Sequence, residues 1–171
     1  MHLTYKLRLI VSFEEIQDLS SGLVRFYSVK LGPDLICEFE KFDAKEFINP
    51  LHIEELRIVY ATIEQIRLRG AKPYYFKPEG PARALPKITK LMMDRNNADF
   101  GLRLYCIHVS ESVVILLNGD IKTKQNPREC PNVGIHFDRA LKIAKKIQWA
   151  MDEDYLRFTE KGIEIDIDID I

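Results

Sequence analysis

Gly101-Leu102-Arg103-Leu104-Tyr105-Cys106-Ile107-His108-Val109 and, after Ser110-Glu111-Ser112, Val113-Val114-Ile115-Leu116-Leu117-Asn118-Gly119-Asp120 form the stretch on which the fold turns. β-Branched, aromatic and aliphatic residues dominate both runs, and a three-residue polar link joins them. That pattern predicts two hairpin strands, Arg103 to Val109 and Val113 to Leu117. Asn118-Gly119-Asp120 is expected to end the second and lead through Ile121-Lys122-Thr123-Lys124 into a loop containing Pro127 and Pro131.

Working outward, two segments carry helical periodicity. In Leu51 to Arg69, Ile53, Leu56, Val59, Tyr60, Ile63 and Ile66 recur at spacings of three and four, giving one apolar stripe. Asn49 is placed to cap it, Pro50 to start it, Glu54 and Glu55 to meet its positive end, and Gly70 to let the chain leave. A second amphipathic helix is predicted over Phe137 to Met151. Strands are expected at residues 5–11 and 23–31, with a third extended segment from Leu35 to Phe42. Tyr74 to Lys77 reads as a short strand. Pro78, Pro81 and Pro86 then impose a loop reaching Asp99 around a short helix at Ile88 to Met93. From Ile163 to Ile171, isoleucine alternates strictly with Glu or Asp, a period of two that predicts one apolar and one acidic face. This tail is either an edge strand whose carboxylates discourage further pairing or an acidic arm lying over the basic middle.

The chain of 171 residues, 46% hydrophobic and 30% charged, suits one α+β domain and is too apolar for a disordered polymer. It divides into an amino-terminal β extension (1–37), a core (38–151) and an acidic tail (152–171). Residues Met1 to Phe13 lack the apolar core of a signal peptide, and nothing approaches the roughly 20 apolar residues of a membrane span. A cytoplasmic protein without membrane partners is the expectation. Cys37, Cys106 and Cys130 show no CxxC spacing, so reduced thiols are expected rather than a metal site.

The net charge of -1 hides an asymmetry: Lys+Arg against Asp+Glu is 11 to 12 in residues 1–80, 12 to 6 in 81–150, and 2 to 8 in 151–171. A basic middle of this kind attracts phosphates. No Walker loop, GxGxxG, GxSxG or HExxH is present, leaving nucleotide-dependent, Rossmann, serine-hydrolase and zinc-protease chemistry without an anchor.

Arg103, Tyr105, Leu116, Leu117, Gly119, Lys122, Thr123 and Ala140 stand in an order that resembles the HigB-like branch of the RelE/HigB-like toxin superfamily. There an arginine opens a strand with a tyrosine two positions on, an apolar strand ends in a Leu-Leu, glycine, Lys-Thr pattern, and a closing helix carries an alanine. The resemblance extends over about residues 38–151, including Glu38 to Phe42, the long helix and Gly70. It implies a curved antiparallel sheet packed by two main helices, and an endoribonuclease that cleaves messenger by attack of a ribose 2'-hydroxyl on the adjacent phosphate, with no cofactor or metal required. It also implies a small antitoxin partner and messenger RNA or the ribosome as target. The amino-terminal hairpin, which lies outside the resemblance, is expected either to enlarge the sheet or to form a homodimer contact.

On that resemblance Arg103 is a candidate phosphate clamp, since a guanidinium is planar, charged and bidentate; the alternative is an ion pair at the sheet surface. Lys122 is the second candidate cation, and Tyr105 and His108 are candidates for proton transfer. Each has a simpler reading: solvation for the lysine, packing for the tyrosine, a structural bond for the histidine. Arg83, Lys87, Lys90 and Lys124 are candidates for gripping the RNA backbone, or ordinary surface charges. His136 stands at the start of the last helix and reads as a cap or a surface residue, the alternative being a catalytic role paired with a distant carboxylate. A non-catalytic interaction module on the same fold is the competing expectation.

Overall fold

The computed structural model describes residues 8–89 and 100–171. Its elements run β1 (Ile10–Glu15), β2 (Arg25–Leu31), α1 (Glu38–Phe47), α2 (Ile53–Arg69), β3 (Lys77–Glu79), β4 (Ala82–Leu85), β5 (Gly101–Ser110), β6 (Val113–Lys122), α3 (Gly134–Asp152), β7 (Leu156–Thr159), β8 (Gly162–Ile165) and β9 (Ile169–Asp170). Lys90, and the predicted short helix beyond Thr89, lie outside the described residues.

Seven strands hydrogen-bond in the order β3-β4-β5-β6-β2-β1-β9, while β7 and β8 form a separate hairpin. The fold is α+β as expected, but the sheet is mixed rather than wholly antiparallel. β2 runs parallel to β6, with Arg25 opposite Val113 and Tyr27 opposite Ile115. Parallel neighbours need a long crossover, and the chain supplies one by passing through α1, α2 and the β3–β6 meander between them. β2 thus lies between β6 and β1, inside the sheet rather than appended to its rim.

Each face has its own core. Val29, Tyr105, Ile107, Ile115 and Leu117 meet Ala140, Ile143, Ala144 and Ile147 of α3 on one side. Phe26, Leu102, Leu104, Cys106, Val114 and Leu116 meet α1 and α2 on the other. Burying each such aliphatic or aromatic side chain stabilises the fold by about 1.5–3 kcal/mol. The helices therefore follow from where apolar side chains recur.

Among the described residues there are three α-helices, where two main ones were expected. Residues 38–42, expected to be extended, open α1, because Glu38, Phe39, Phe42 and Glu46 recur on one side and all four are buried. α2 carries the predicted stripe through Leu56, Val59, Ile63 and Ile66, and leaves at Gly70 with φ 93°. It begins two residues after its predicted start: Asn49 accepts from the Leu51 amide at 3.1 Å and shapes the approach, while His52 takes the cap position. The second predicted helix begins earlier, at Gly134. The strand read as ending at Leu117 continues to Lys122. The tail is not one strand. Ile163 and Ile165 pair with β7, the Asp166 amide bonds to the Tyr155 carbonyl at 2.9 Å, and Ile169 then pairs with Val11 of β1.

One irregularity positions everything that follows. Leu104 pairs with Gly119 and Cys106 with Leu116, so a single residue of β5 spans two of β6. This bulge reverses which face alternate residues of β6 occupy. Ile115 and Leu117 face α3, but beyond the bulge Ile121 packs toward α2. Lys122 consequently shares the α3 face with Arg103. The bulge requires a glycine: a Cβ on Gly119 would lie 1.8 Å from the Arg103 carbonyl oxygen, a backbone atom that cannot step aside. Gly119→Ala is expected to destabilise the protein by about 1–3 kcal/mol through this overpacking, read as a lowered urea midpoint, whereas Gly22→Ala, in open space, leaves it near wild type.

Candidate functional site

At the α3-facing end of the β3–β6 meander, side chains from four strands meet. β3 pairs with β4 and β4 with β5, aligning Lys77, Ala84 and Tyr105 in one row. Ala82 and Ala84 carry only methyl groups, which leaves room above β4 for the long side chains of its neighbours. Lys77, Glu79, Arg103 and Lys122 lie close enough to influence one another's protonation, and the Lys77 ammonium is 3.0 Å from Glu79. Arg103 is 0% and Lys122 2% exposed.

Burial sets the electrostatics. It lowers the Lys122 pKa below the ordinary lysine value, Glu79 opposes that shift, and Arg103 adds to it. Lys77 is lowered for the same reasons, burial first, with Glu79 opposing and Lys122 and Arg103 reinforcing. A guanidinium in the same surroundings stays charged. Tyr105 is raised, chiefly by burial, so its phenol keeps its proton. The Tyr105 hydroxyl is buried without a hydrogen-bond partner among the described residues, an arrangement that costs about 1–3 kcal/mol. The Arg103 guanidinium donates to the Pro86 carbonyl, so the connection after β4 covers the cluster.

The structure therefore brings Arg103, Lys122 and Tyr105 together and adds Lys77 and Glu79, which no local pattern in the sequence singled out. It does not bring in His108. That imidazole bonds through Nε2 to the Ala71 carbonyl at 2.7 Å and stacks on Phe76, a structural setting. Arg83, flanked by α3-facing Ala82 and Ala84, projects to the other face and donates to the Gly80 and Ala82 carbonyls. Lys87 and Lys124 are exposed in connections, Lys124 past the end of β6, where its amide bonds to the Cys130 sulfur at 3.2 Å. The three cysteines are free and buried.

A second polar cluster lies where α1 packs on β6. Asn118 donates to the buried Glu38 carboxylate at 3.2 Å, and the Lys45 ammonium meets Asp120 at 3.0 Å and the Gly119 carbonyl at 2.7 Å. Glu46, His52 and Asp120 present ligand atoms within 4.8 Å of one another, as do Glu14, Cys37 and Glu40. In the first group Lys45 already supplies a cation, 3.9 Å from Glu46. His136, at the start of α3, is pushed down to about 4 by burial and by Lys45 and Arg139, against the pull of Asp120 and Glu38. Its folded pKa lies below the ordinary histidine value, so the unfolded chain binds the extra proton between these limits and stability falls as pH drops from about 6.5 toward 4. His136→Gln is expected to flatten this dependence, measured as urea midpoints at pH 7 and pH 5; an unchanged pH slope would remove His136 as its source.

Among the described residues no helix is long and apolar enough to cross a membrane. Compared with family models, with curated proteins and with solved structures, the chain finds no match.

Proposed function

We propose that the protein is an endoribonuclease of the toxin type, cleaving RNA by metal-independent attack of a ribose 2'-hydroxyl on the adjacent phosphate. The observation that carries this reading is the convergence of Arg103, Lys122 and Lys77 beside Tyr105 on one face of the sheet; of these, Arg103, Lys122 and Tyr105 stand where the chain resembles RelE/HigB-like toxins. Three cations and a protonated phenol suit a dianionic phosphorane-like transition state. Arg103 clamps two phosphate oxygens. Lys122, whose burial favours the neutral amine, accepts the 2'-hydroxyl proton as that oxygen bonds to phosphorus and thereby becomes the cation beside the phosphorane, while Tyr105 donates its proton to the 5'-oxygen as the P–O5' bond breaks. An RNA phosphate that engages Arg103 displaces the Pro86 carbonyl from it. A small antitoxin that covers the basic surface and a messenger bound alone or on the ribosome are the partners this activity implies.

The burial of Arg103 and Lys122 favours a second reading, a non-catalytic interaction module on the same scaffold. The chemistry of the products separates the two. Messenger incubated with the protein, with and without ribosomes and in the presence of a chelator, is expected to yield fragments ending in 2',3'-cyclic or 3'-phosphate. Lys122→Gln and Arg103→Lys are each expected to reduce the rate by about 10²-fold or more, with circular dichroism confirming that both variants fold. Expression should arrest growth, and either substitution should relieve it. Intact messenger under both conditions from folded wild-type protein would leave only the interaction module.

A further inference from the structure

We infer that the exposed side of α3 carries a binding groove for single-stranded RNA, in which lysines hold the backbone and Trp149 stacks on a base. The inference deepens the endoribonuclease reading and rests on it for the class of ligand. The groove, of about 720 Å³, is lined by Arg8, Lys142, Lys145, Lys146, Trp149 and the Asp170–Ile171 segment.

Three observations carry it. First, Lys142 stands three and four residues before Lys145 and Lys146, so like charges share one helix face, where they repel rather than support the helix. They sit outside the last turn of α3, so the helix dipole does not account for them. Second, Lys142, Lys145 and Lys146 are exposed and have no ion-pair partner among the described residues. Arg8 is held instead by Asp170 at 3.4 Å. Third, Trp149 is 46% exposed, with the Lys146 ammonium 5.8 Å from its ring centroid and Tyr155 tilted beside it at 5.7 Å. An accessible aromatic ring among unpaired cations is how sequence-tolerant single-strand binding is built, phosphates meeting the cations and a base the ring. Because the groove uses no residue of the buried cluster, it serves to hold the strand rather than to cut it.

Trp149 is the only tryptophan in the chain, so its emission reports stacking directly. Titration with a short oligouridylate is expected to quench that emission, with an affinity that falls steeply between about 50 and 200 mM salt. The triple variant Lys142→Gln, Lys145→Gln, Lys146→Gln should reduce the slope of log affinity against log salt by about 2. Trp149→Phe should keep binding within a fewfold and Trp149→Ala should lose on the order of tenfold, both followed by anisotropy of a labelled oligonucleotide. Gly22→Ala, in open space and outside the groove lining, should quench as wild type does. Quenching by intact protein that leaves messenger uncut would remove the catalytic reading and keep the groove. Absence of quenching at low salt, or equal quenching by polyglutamate, would overturn the groove whatever the cleavage result.

Discussion

The close approach of β5 and β6 at Gly119 is the constraint on which the rest of this structure depends. A backbone carbonyl of Arg103 occupies the space a side chain would need, and the resulting bulge lets one residue of β5 face two of β6. A regular ladder would turn Lys122 toward α2, into the apolar company of Leu102 and Leu104. With the bulge it turns toward α3 and meets Arg103. One missing methyl group thus decides whether two cations lie on the same side of the sheet. Bulges near chemically important positions commonly re-aim a side chain in this way.

Placing charge there is costly. Removing an ammonium or guanidinium from water costs several kcal/mol unless neighbouring groups compensate. Glu79 and the Pro86 carbonyl provide part of that compensation. Elsewhere the molecule spends its apolar surface conventionally, with α1 and α2 closing one face and α3 the other. Stability and the polar cluster share the same strands: Leu102 and Leu104, on either side of Arg103, serve the α1–α2 core, while Tyr105 belongs to the α3 core as well as to the cluster.

Most of this architecture was legible in the order of residues wherever a period was strong. The α2 stripe, the β5–β6 hairpin and the amphipathic α3 all follow from spacing. The reading failed where spacing was ambiguous: Glu38 to Phe42 offers two aromatics three residues apart, compatible with a poor strand or the first turn of a helix, and packing against β2 and β6 selects the helix. The isoleucine-acid alternation promised one strand, yet β7 takes its first half and β1 its last. Of the proposed site, Arg103 and Lys122 were visible in the sequence, but Lys77 and Glu79 were not, since only the two intervening strand pairings bring β3 alongside. His108 looked equally suited to proton transfer; the carbonyl of Ala71, distant in sequence, occupies its ring nitrogen. A parallel contact between β2 and β6 leaves no local signature at all.

That parallel contact has a further consequence for how the chain comes to be folded. During synthesis the β1–β2 hairpin emerges well before its partner on the other side, Val113 to Ile115, which is made only after both following helices and the short meander strands. Until then Phe26 and Val29, which end up wholly enclosed, have no sheet to join. Non-local pairings of this kind slow folding and leave sticky edges open while they wait. The β1–β2 hairpin is accordingly a segment of the nascent protein whose apolar face must wait for distant residues before it is covered.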